Sequence, residues 1–304
     1  MRMQLGLIGL GKMGADMARR LARSGVDVVG FDLSAEARGS LVAEEGVWTA
    51  ASIPELLERL PPPRVVWLML PAGEATESAL RELTTHLEGG DVVVDGANSH
   101  YRDSMRRAAE IGARGVDFVD AGVSGGIWGL KQGYTVMLGG APMAVAKVLQ
   151  FARILAPSPE QGWIHCGPVG AGHFTKMVHN GIEYGLMQAY AEGFALLRAK
   201  REFELDVAAI AETWRHGSVV RSWLLDLTAG LLGTRQTLED VAPIVPDSGE
   251  GRWTAQEAVE LGVPAPVISL ALMARFASQG GDDYGNRLLA LMRASFGGHA
   301  VKEL

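Results

Sequence analysis

The sequence predicts an α/β domain, a doubly wound and mostly parallel sheet over residues 1–168, followed by an all-α domain over 169–304. Three observations carry this expectation. Short apolar runs alternate with amphipathic stretches as far as His165, a glycine-rich turn separates the first strand from the first helix, and from Gly172 onward the apolar spacing is helical almost throughout.

The first strand, residues 5–10, leads into Gly9-Leu10-Gly11-Lys12-Met13-Gly14 and then an amphipathic segment, 15–24. Strand, G-x-G-x-x-G and helix in that order are the signature of a Rossmann-type dinucleotide-binding domain. Gly9 permits the tight turn, Gly11 lets a pyrophosphate approach the backbone, and Gly14 lets helix and strand pack closely. The helix start offers free N–H groups and a positive dipole end to phosphate. A second strand, 26–31, ends in Asp32, whose carboxylate can accept from an adenosine ribose and would repel a 2'-phosphate, so NAD is favoured over NADP. Arg38 lies near enough in sequence to leave that preference open.

Strands then follow at 65–70, 91–95 and 116–120, with helices at 74–87 and 100–113 between them, and 134–139, 144–156 and 162–165 finish the domain. Ligands of such sheets sit beyond the carboxyl ends of the strands. Leu70 and Pro71 are candidate cofactor contacts there, Asn98 is a candidate for orienting substrate or nicotinamide or else a turn former, and Ser124-Gly125-Gly126 is either an ordinary turn or a hydroxyl and two unhindered backbones offered to a carboxylate or hydroxyl group. The Gly/Pro-rich loop 166–172 marks the boundary.

Helical segments are expected near 172–200, 204–216, 218–232, 252–261, 264–278 and 283–296. In the first, successive residues turn by about 100°, which puts Lys176, Asn180 and Glu183 within about 60° on one face. Lys176 and Glu183 stand about 10 Å apart along the axis, which reads either as a solvated charged stripe or as an amine and a carboxylate with room for a small molecule between them. Gly181 and Gly185 each cost that helix about 1 kcal/mol relative to Ala, which calls for close approach of another backbone or a ligand. Arg221, Arg252, Arg287, Arg293 and His299 read singly as surface charges and as a set as a phosphate pocket.

Of the 304 residues 48% are hydrophobic and 21% charged, which suits one large or two medium domains with real cores. The net charge of -7 gives no reason to expect a nucleic-acid or membrane-surface partner. The single cysteine, Cys166, excludes an intramolecular disulfide and reads as a small buried apolar residue or a reactive thiol. No uninterrupted apolar run reaches about 18 residues, no cleavage site follows the first strand, and no His/Cys/Asp spacing suits a metal, so a cytoplasmic protein without a bound metal is expected.

Together these motifs resemble the beta-hydroxyacid dehydrogenase superfamily and, within it, the short-chain 6-phosphogluconate dehydrogenases, from Leu7 to about His299. Gly9 to Gly14, Asp120-Ala121-Gly122-Val123-Ser124-Gly125-Gly126 and Lys176 with Asn180 carry the broad resemblance. Asn98-Ser99-His100-Tyr101-Arg102-Asp103-Ser104, the run from Lys176 to Gly185 and Arg293-Ala294-Ser295-Phe296-Gly297-Gly298-His299 carry the narrower one. The resemblance implies a cofactor site at Gly9, Leu10, Gly11, Lys12, Met13, Gly14, Asp32, Leu70, Pro71 and Asn98, Lys176 as general base and Glu183 as general acid. It also implies that Asn98, Ser124, Gly125, Gly126, His179, Asn180 and Tyr184 line the substrate and that Arg252, Arg287, Arg293 and His299 hold its phosphate, the last two from a neighbouring subunit. Arg252 stands where longer enzymes have Lys, and Asp32-Leu33-Ser34 replaces an Asn-Arg-Thr type sequence suited to NADP.

The implied reaction is the pentose phosphate pathway's oxidative decarboxylation of a phosphorylated sugar acid, with NAD as oxidant and no metal. A lysine serves as its base only if burial or neighbouring charge brings its pKa to about 7–8. One helical repeat per chain, where longer relatives have two, implies a homodimer or homotetramer. Another beta-hydroxyacid dehydrogenase, acting for example on 3-hydroxyisobutyrate, or a noncatalytic NAD-binding protein are the alternatives.

Overall fold

Strand-length runs of Val, Ile, Leu and Trp build the first half of the computed structural model, which describes residues 2–234, 238–280 and 284–297, the last with side chains at 284–288 and 291–292 only. The chain divides into two units, Met1–Met177 and Val178–Leu304. In the first unit the strands are β1 (Gln4–Ile8), β2 (Asp27–Phe31), β3 (Val47–Ala50), β4 (Val65–Leu68), β5 (Val92–Asp95), β6 (Asp117–Ser124), β7 (Thr135–Gly140) and β8 (Trp163–Gly167). Among the described residues they form one sheet in the order β3-β2-β1-β4-β5-β6-β7-β8, and every neighbouring pair is parallel except β6 and β7.

The connections are α1 (Lys12–Arg23), α2 (Ala35–Gly39), α3 (Ile53–Glu58), α4 (Glu74–His86), α5 (Tyr101–Gly112), α6 (Gly129–Gln132) and α7 (Pro142–Leu155). Successive strand residues point to opposite faces, so β5 divides its valines between two cores. Val92 and Val94 belong to one core with Met17 and Leu21 of α1 and Phe151 of α7, while Val93 belongs to the other with Leu56 of α3, Leu83 of α4 and Ile111 of α5. A sheet covered on both faces needs this near-continuous apolar composition, and full burial of each such side chain stabilises the fold by about 1.5–3 kcal/mol.

The long helix α8 (Ala171–Ala199) begins in the first unit and continues in the second. There α9 (Val207–Trp214), α10 (Trp223–Thr234), α11 (Glu250–Leu261), α12 (Pro266–Ser278) and α13 (Tyr284–Gly297) follow, with no strand among the described residues. Asp206 caps α9 by accepting the N–H of Ala209 at 2.9 Å, Gly262 ends α11 at φ 65°, and Pro266 opens α12, where a missing N–H costs nothing. Tyr184, Ala271 and Leu272 form a small core with Ala255 and Phe276.

The sheet-then-helices organisation is as expected, with local differences. β3, α2 and α3 lie in the stretch between Asp32 and Val65 where no element was expected: β3 has four residues and α2 no buried one, too little for a periodic signal. β6 runs past the predicted end at Asp120 to Ser124, because Gly122 pairs with Met137 and Ser124 with Thr135 of the antiparallel neighbour β7. A helix was expected from 218, but α10 begins at Trp223. Gly181 and Gly185 do mark close approaches. A Cβ on Gly181 would stand 2.7 Å from Thr254 Cγ2, and one on Gly185 3.2 Å from Val267 Cγ1, so neighbouring helices account for both.

Candidate functional site

The glycine turn has the geometry its sequence requires. Gly9 adopts φ 94°, a Cβ on Gly14 would strike the Gly9 carbonyl oxygen, and Gly11 has open space where its side chain would be. Asp32 follows β2, and its Oδ2 accepts the N–H of Leu10 at 2.7 Å while Oδ1 accepts that of Ser34 at 2.8 Å. The carboxylate is thereby tied to the glycine turn. Arg38 Nη1 donates to the Asp32 carbonyl oxygen at 2.6 Å. An open glycine at a helix start with a fixed carboxylate beside it fits a dinucleotide, with pyrophosphate over Gly11, Lys12 and Met13 and a ribose at Asp32. Leu70 is half-buried and Pro71 exposed just beyond β4.

Asn98 is exposed on the loop after β5, between buried Ala97 and Ser99. Asp95 Oδ1 accepts the N–H of Ala97 at 3.1 Å, and Ser99 Oγ accepts from Arg107 Nη1 at 2.7 Å. Ser124 ends β6, followed by Gly125 at φ 141° and Gly126 at φ 53°, backbone shapes that favour glycine.

Lys176 is 8% exposed on the second turn of α8. A Cβ on Gly122 would run into the Lys176 Cβ, so the glycine of β6 is what lets α8 come this close. Sequence reasoning missed what holds that turn. Asp120, two residues before Gly122 and fully buried, accepts the N–H of Gly170 at 2.6 Å and of His173 at 2.7 Å. Burial pushes the Asp120 carboxyl above its usual range, and the neighbouring His173 with the two N–H donors offsets this only in part. The sequence carried little signal, because the strand was expected to end at Asp120, and only the antiparallel pairing with β7 carries β6 on to Ser124 and sets an Asp, a residue type strands avoid, inside it.

α8 is continuous from Ala171 to Ala199, so Lys176, Asn180 and Glu183 share a helical face as their spacing requires. Asn180 and Glu183 are half-buried, and His179 Nδ1 lies 3.0 Å from Asn180 Oδ1.

In the second unit Tyr184 donates its hydroxyl to Asp247 Oδ1 at 3.2 Å, and Asp247 Oδ2 accepts from Arg252 Nε at 3.0 Å and Nη2 at 2.8 Å. Arg275, not singled out from the sequence, lies with its guanidinium 3.4 Å from the centre of the Tyr184 ring. One arginine thus stacks on the tyrosine ring, and a second holds the aspartate that its hydroxyl meets. Helical spacing within α12 carried the signal, since Arg275 follows buried Ala271 and Leu272 on their side of the helix. Arg287 is exposed on α13, whereas His299 and the side chain of Arg293 lie outside the described residues. Among the described residues no group of three His, Cys, Asp or Glu could hold a metal, and no helix is long and apolar enough to cross a membrane.

These features define a dinucleotide-binding α/β domain joined to a helical domain. Comparison with known proteins is more specific. The pattern of the NAD binding domain of 6-phosphogluconate dehydrogenase matches residues 4–160, and that of the 6-phosphogluconate dehydrogenase C-terminal domain matches 172–299. The chain is 44% identical over 300 residues to an NAD(+)-dependent, decarboxylating 6-phosphogluconate dehydrogenase of Haloferax volcanii, covering 98% of each chain. It is 35% identical to an NADP(+)-dependent, decarboxylating 6-phosphogluconate dehydrogenase of Bacillus subtilis, covering 91% of this chain and 61% of that one. Among solved structures, Plasmodium falciparum 6-phosphogluconate dehydrogenase superposes with a TM-score of 0.83 at 28% identity, covering 99% of this chain and 66% of that one. The chain belongs to the 6-phosphogluconate dehydrogenase family, within the beta-hydroxyacid dehydrogenase superfamily. It is accordingly an oxidoreductase with a pyridine-nucleotide-binding domain.

Proposed function

We propose that this chain oxidatively decarboxylates 6-phospho-D-gluconate to D-ribulose 5-phosphate and carbon dioxide with reduction of NAD. The observation that carries the reading is a buried lysine one and two turns before Asn180 and Glu183 on one continuous helix. Bound NAD supplies the hydride acceptor. Neutral Lys176 takes the proton of the C3 hydroxyl as hydride leaves C3, and its burial, 8% exposed, is what such a base calls for. Protonated, it then donates to the C3 carbonyl and stabilises the enolate as the C1 carboxylate departs as carbon dioxide. Glu183 then protonates substrate C2, which becomes C1 of the ketose.

Asn98, Ser124, Gly125, Gly126, His179 and Asn180 line the sugar acid in this proposal. Tyr184 and Arg252 take its phosphate, Arg275 beside the Tyr184 ring joins them, and Arg293 and His299 come from a second subunit of a homodimer or homotetramer. The NAD preference rests on Asp32, whose carboxylate is fixed by Leu10 and Ser34 where a 2'-phosphate would be repelled. A cytoplasmic enzyme follows from this reading.

The test follows nicotinamide reduction with 6-phosphogluconate and each cofactor while carbon dioxide is trapped. NAD should give a kcat/KM at least roughly tenfold above NADP, the worth of one charge-assisted hydrogen bond. Faster turnover of 3-hydroxyisobutyrate than of the phosphorylated acid would replace this substrate. Intact NAD binding without turnover of any hydroxyacid would make the protein noncatalytic.

A further inference from the structure

Two aspartates occupy paired positions on the adjacent parallel strands β5 and β6, Asp95 opposite Asp120, and both are fully buried. Each anchors a different helix. Asp95 Oδ2 accepts from Arg107 Nη1 of α5 at 2.7 Å, whereas Asp120 accepts the N–H groups of Gly170 and His173 at the start of α8. The two helices are joined in turn, because Ser104 Oγ of α5 and His173 Nδ1 of α8 share a hydrogen bond of 2.7 Å. Ser104 and Arg107 are three residues apart, hence on one face of α5, and are 0% and 2% exposed. The hydrogen bonds therefore close a circuit: β5, Asp95, Arg107, α5, Ser104, His173, Asp120, β6.

The circuit has one outlet on each side. Arg107 Nη1 also donates to Ser99 Oγ at 2.7 Å, next to Asn98, and His173 lies one turn before Lys176. A buried arginine paired with Asp95 and Glu77 adds little net stability over an apolar residue of its volume, but its planar fork fixes the directions of its partners. We propose that α5 is a brace, with Ser104 and Arg107 as its positioning residues, that holds the loop of Asn98 in register with the turn of α8 bearing Lys176. The inference rests on the roles proposed above for Lys176 and Asn98. A base displaced by about 1 Å loses on the order of 10²-fold in rate, so the brace acts on turnover before it acts on binding.

The test uses Ser104→Ala, Ser99→Ala and the double variant of the full chain. Three readouts are taken: kcat and KM for 6-phosphogluconate with NAD, the NAD dissociation constant, and amide hydrogen exchange across 96–99 and 170–176. Ser104→Ala should lower kcat at least roughly tenfold with the NAD constant within twofold, and speed exchange at 170–176. The combined loss in the double variant should fall short of the product of the single losses, since both cut one circuit. A merely structural serine would lower the unfolding temperature and leave kcat of the folded enzyme unchanged. A folded Ser104→Ala enzyme with kcat within twofold of wild type overturns the brace, as does a fully multiplicative double variant. Should Ser104→Ala not fold, Ser99→Ala alone decides by the same kcat criterion. Should the wild-type chain not turn over 6-phosphogluconate, the proposed substrate fails and exchange alone judges the brace: unchanged exchange at 170–176 in Ser104→Ala overturns it.

Discussion

Glu183 and Glu77 show how the same side chain serves opposite ends at different places in this chain. Glu183 is half-buried two turns beyond Lys176, where the proposed chemistry asks it to give up a proton late. Glu183→Gln should therefore spare the first turnover of NADH and slow ribulose 5-phosphate release by roughly 10²-fold or more, the range of a positioned general acid. Rapid-quench measurement of both products checks this, and equal loss of the two steps would remove Glu183 from the late-acid role. The proposed chemistry does not use Glu77. Burial pushes its carboxyl up, but hydrogen bonds from Arg107 and Arg106 outweigh burial and hold it below its ordinary value of 4.5. A carboxyl whose folded-state value is depressed stabilises the fold above the unfolded value, and that contribution is lost as pH falls through the folded one. Denaturation midpoints of the wild type should thus fall more steeply below about pH 4.5 than those of Glu77→Gln. Parallel slopes would contradict that assignment.

At the scale of elements, α8 depends on absent side chains. Gly122 of β6 leaves the space occupied by the Lys176 stem, and the Gly172 carbonyl oxygen stands 2.9 Å from where its Cβ would be. Gly122→Ala should move the first turns of α8, destabilise the fold by about 1–3 kcal/mol through overpacking, and cut kcat by roughly 10²-fold with NAD binding retained. Activity within twofold of wild type would show that Lys176 tolerates displacement. Farther along, Gly181 faces Thr254 of α11. Alanine at 181 gains about 1 kcal/mol in helix propensity but meets Thr254 Cγ2, so Gly181→Ala should lower stability by about 1–2 kcal/mol, and Thr254→Ala should recover part of it in the double variant. Calorimetry of the four proteins tests the pair; additive losses would place the strain elsewhere.

Whole-molecule organisation was legible in the sequence because periodicity and glycine are backbone properties. The short apolar strand runs, the helical spacing after Gly172 and the turn from Gly9 to Gly14 need no knowledge of distant contacts. The shared face of Lys176, Asn180 and Glu183 follows from one helix and was equally readable. What escaped notice depends on residues far apart in the chain. Asp120 reaches Gly170 and His173, Arg107 reaches Asp95 and Glu77, and Arg275 meets Tyr184 across two helices. Charged residues on an amphipathic helix read as its solvated face until tertiary packing is known, which is why Arg107 and Arg275 went unmarked. The short elements between Asp32 and Val65 escaped for a different reason, too few residues to establish a period.

The central claim is that one buried amine serves first as base and then as the ammonium that steadies the enolate. It is tested most directly by measuring NADH and labelled carbon dioxide together from 6-phospho-D-[1-¹⁴C]gluconate, for the wild type and for Lys176→Met. The wild type should release one carbon dioxide for each NADH, and Lys176→Met should release neither while still binding NAD. Carbon dioxide and NADH formed by Lys176→Met at near wild-type rate would contradict the claim.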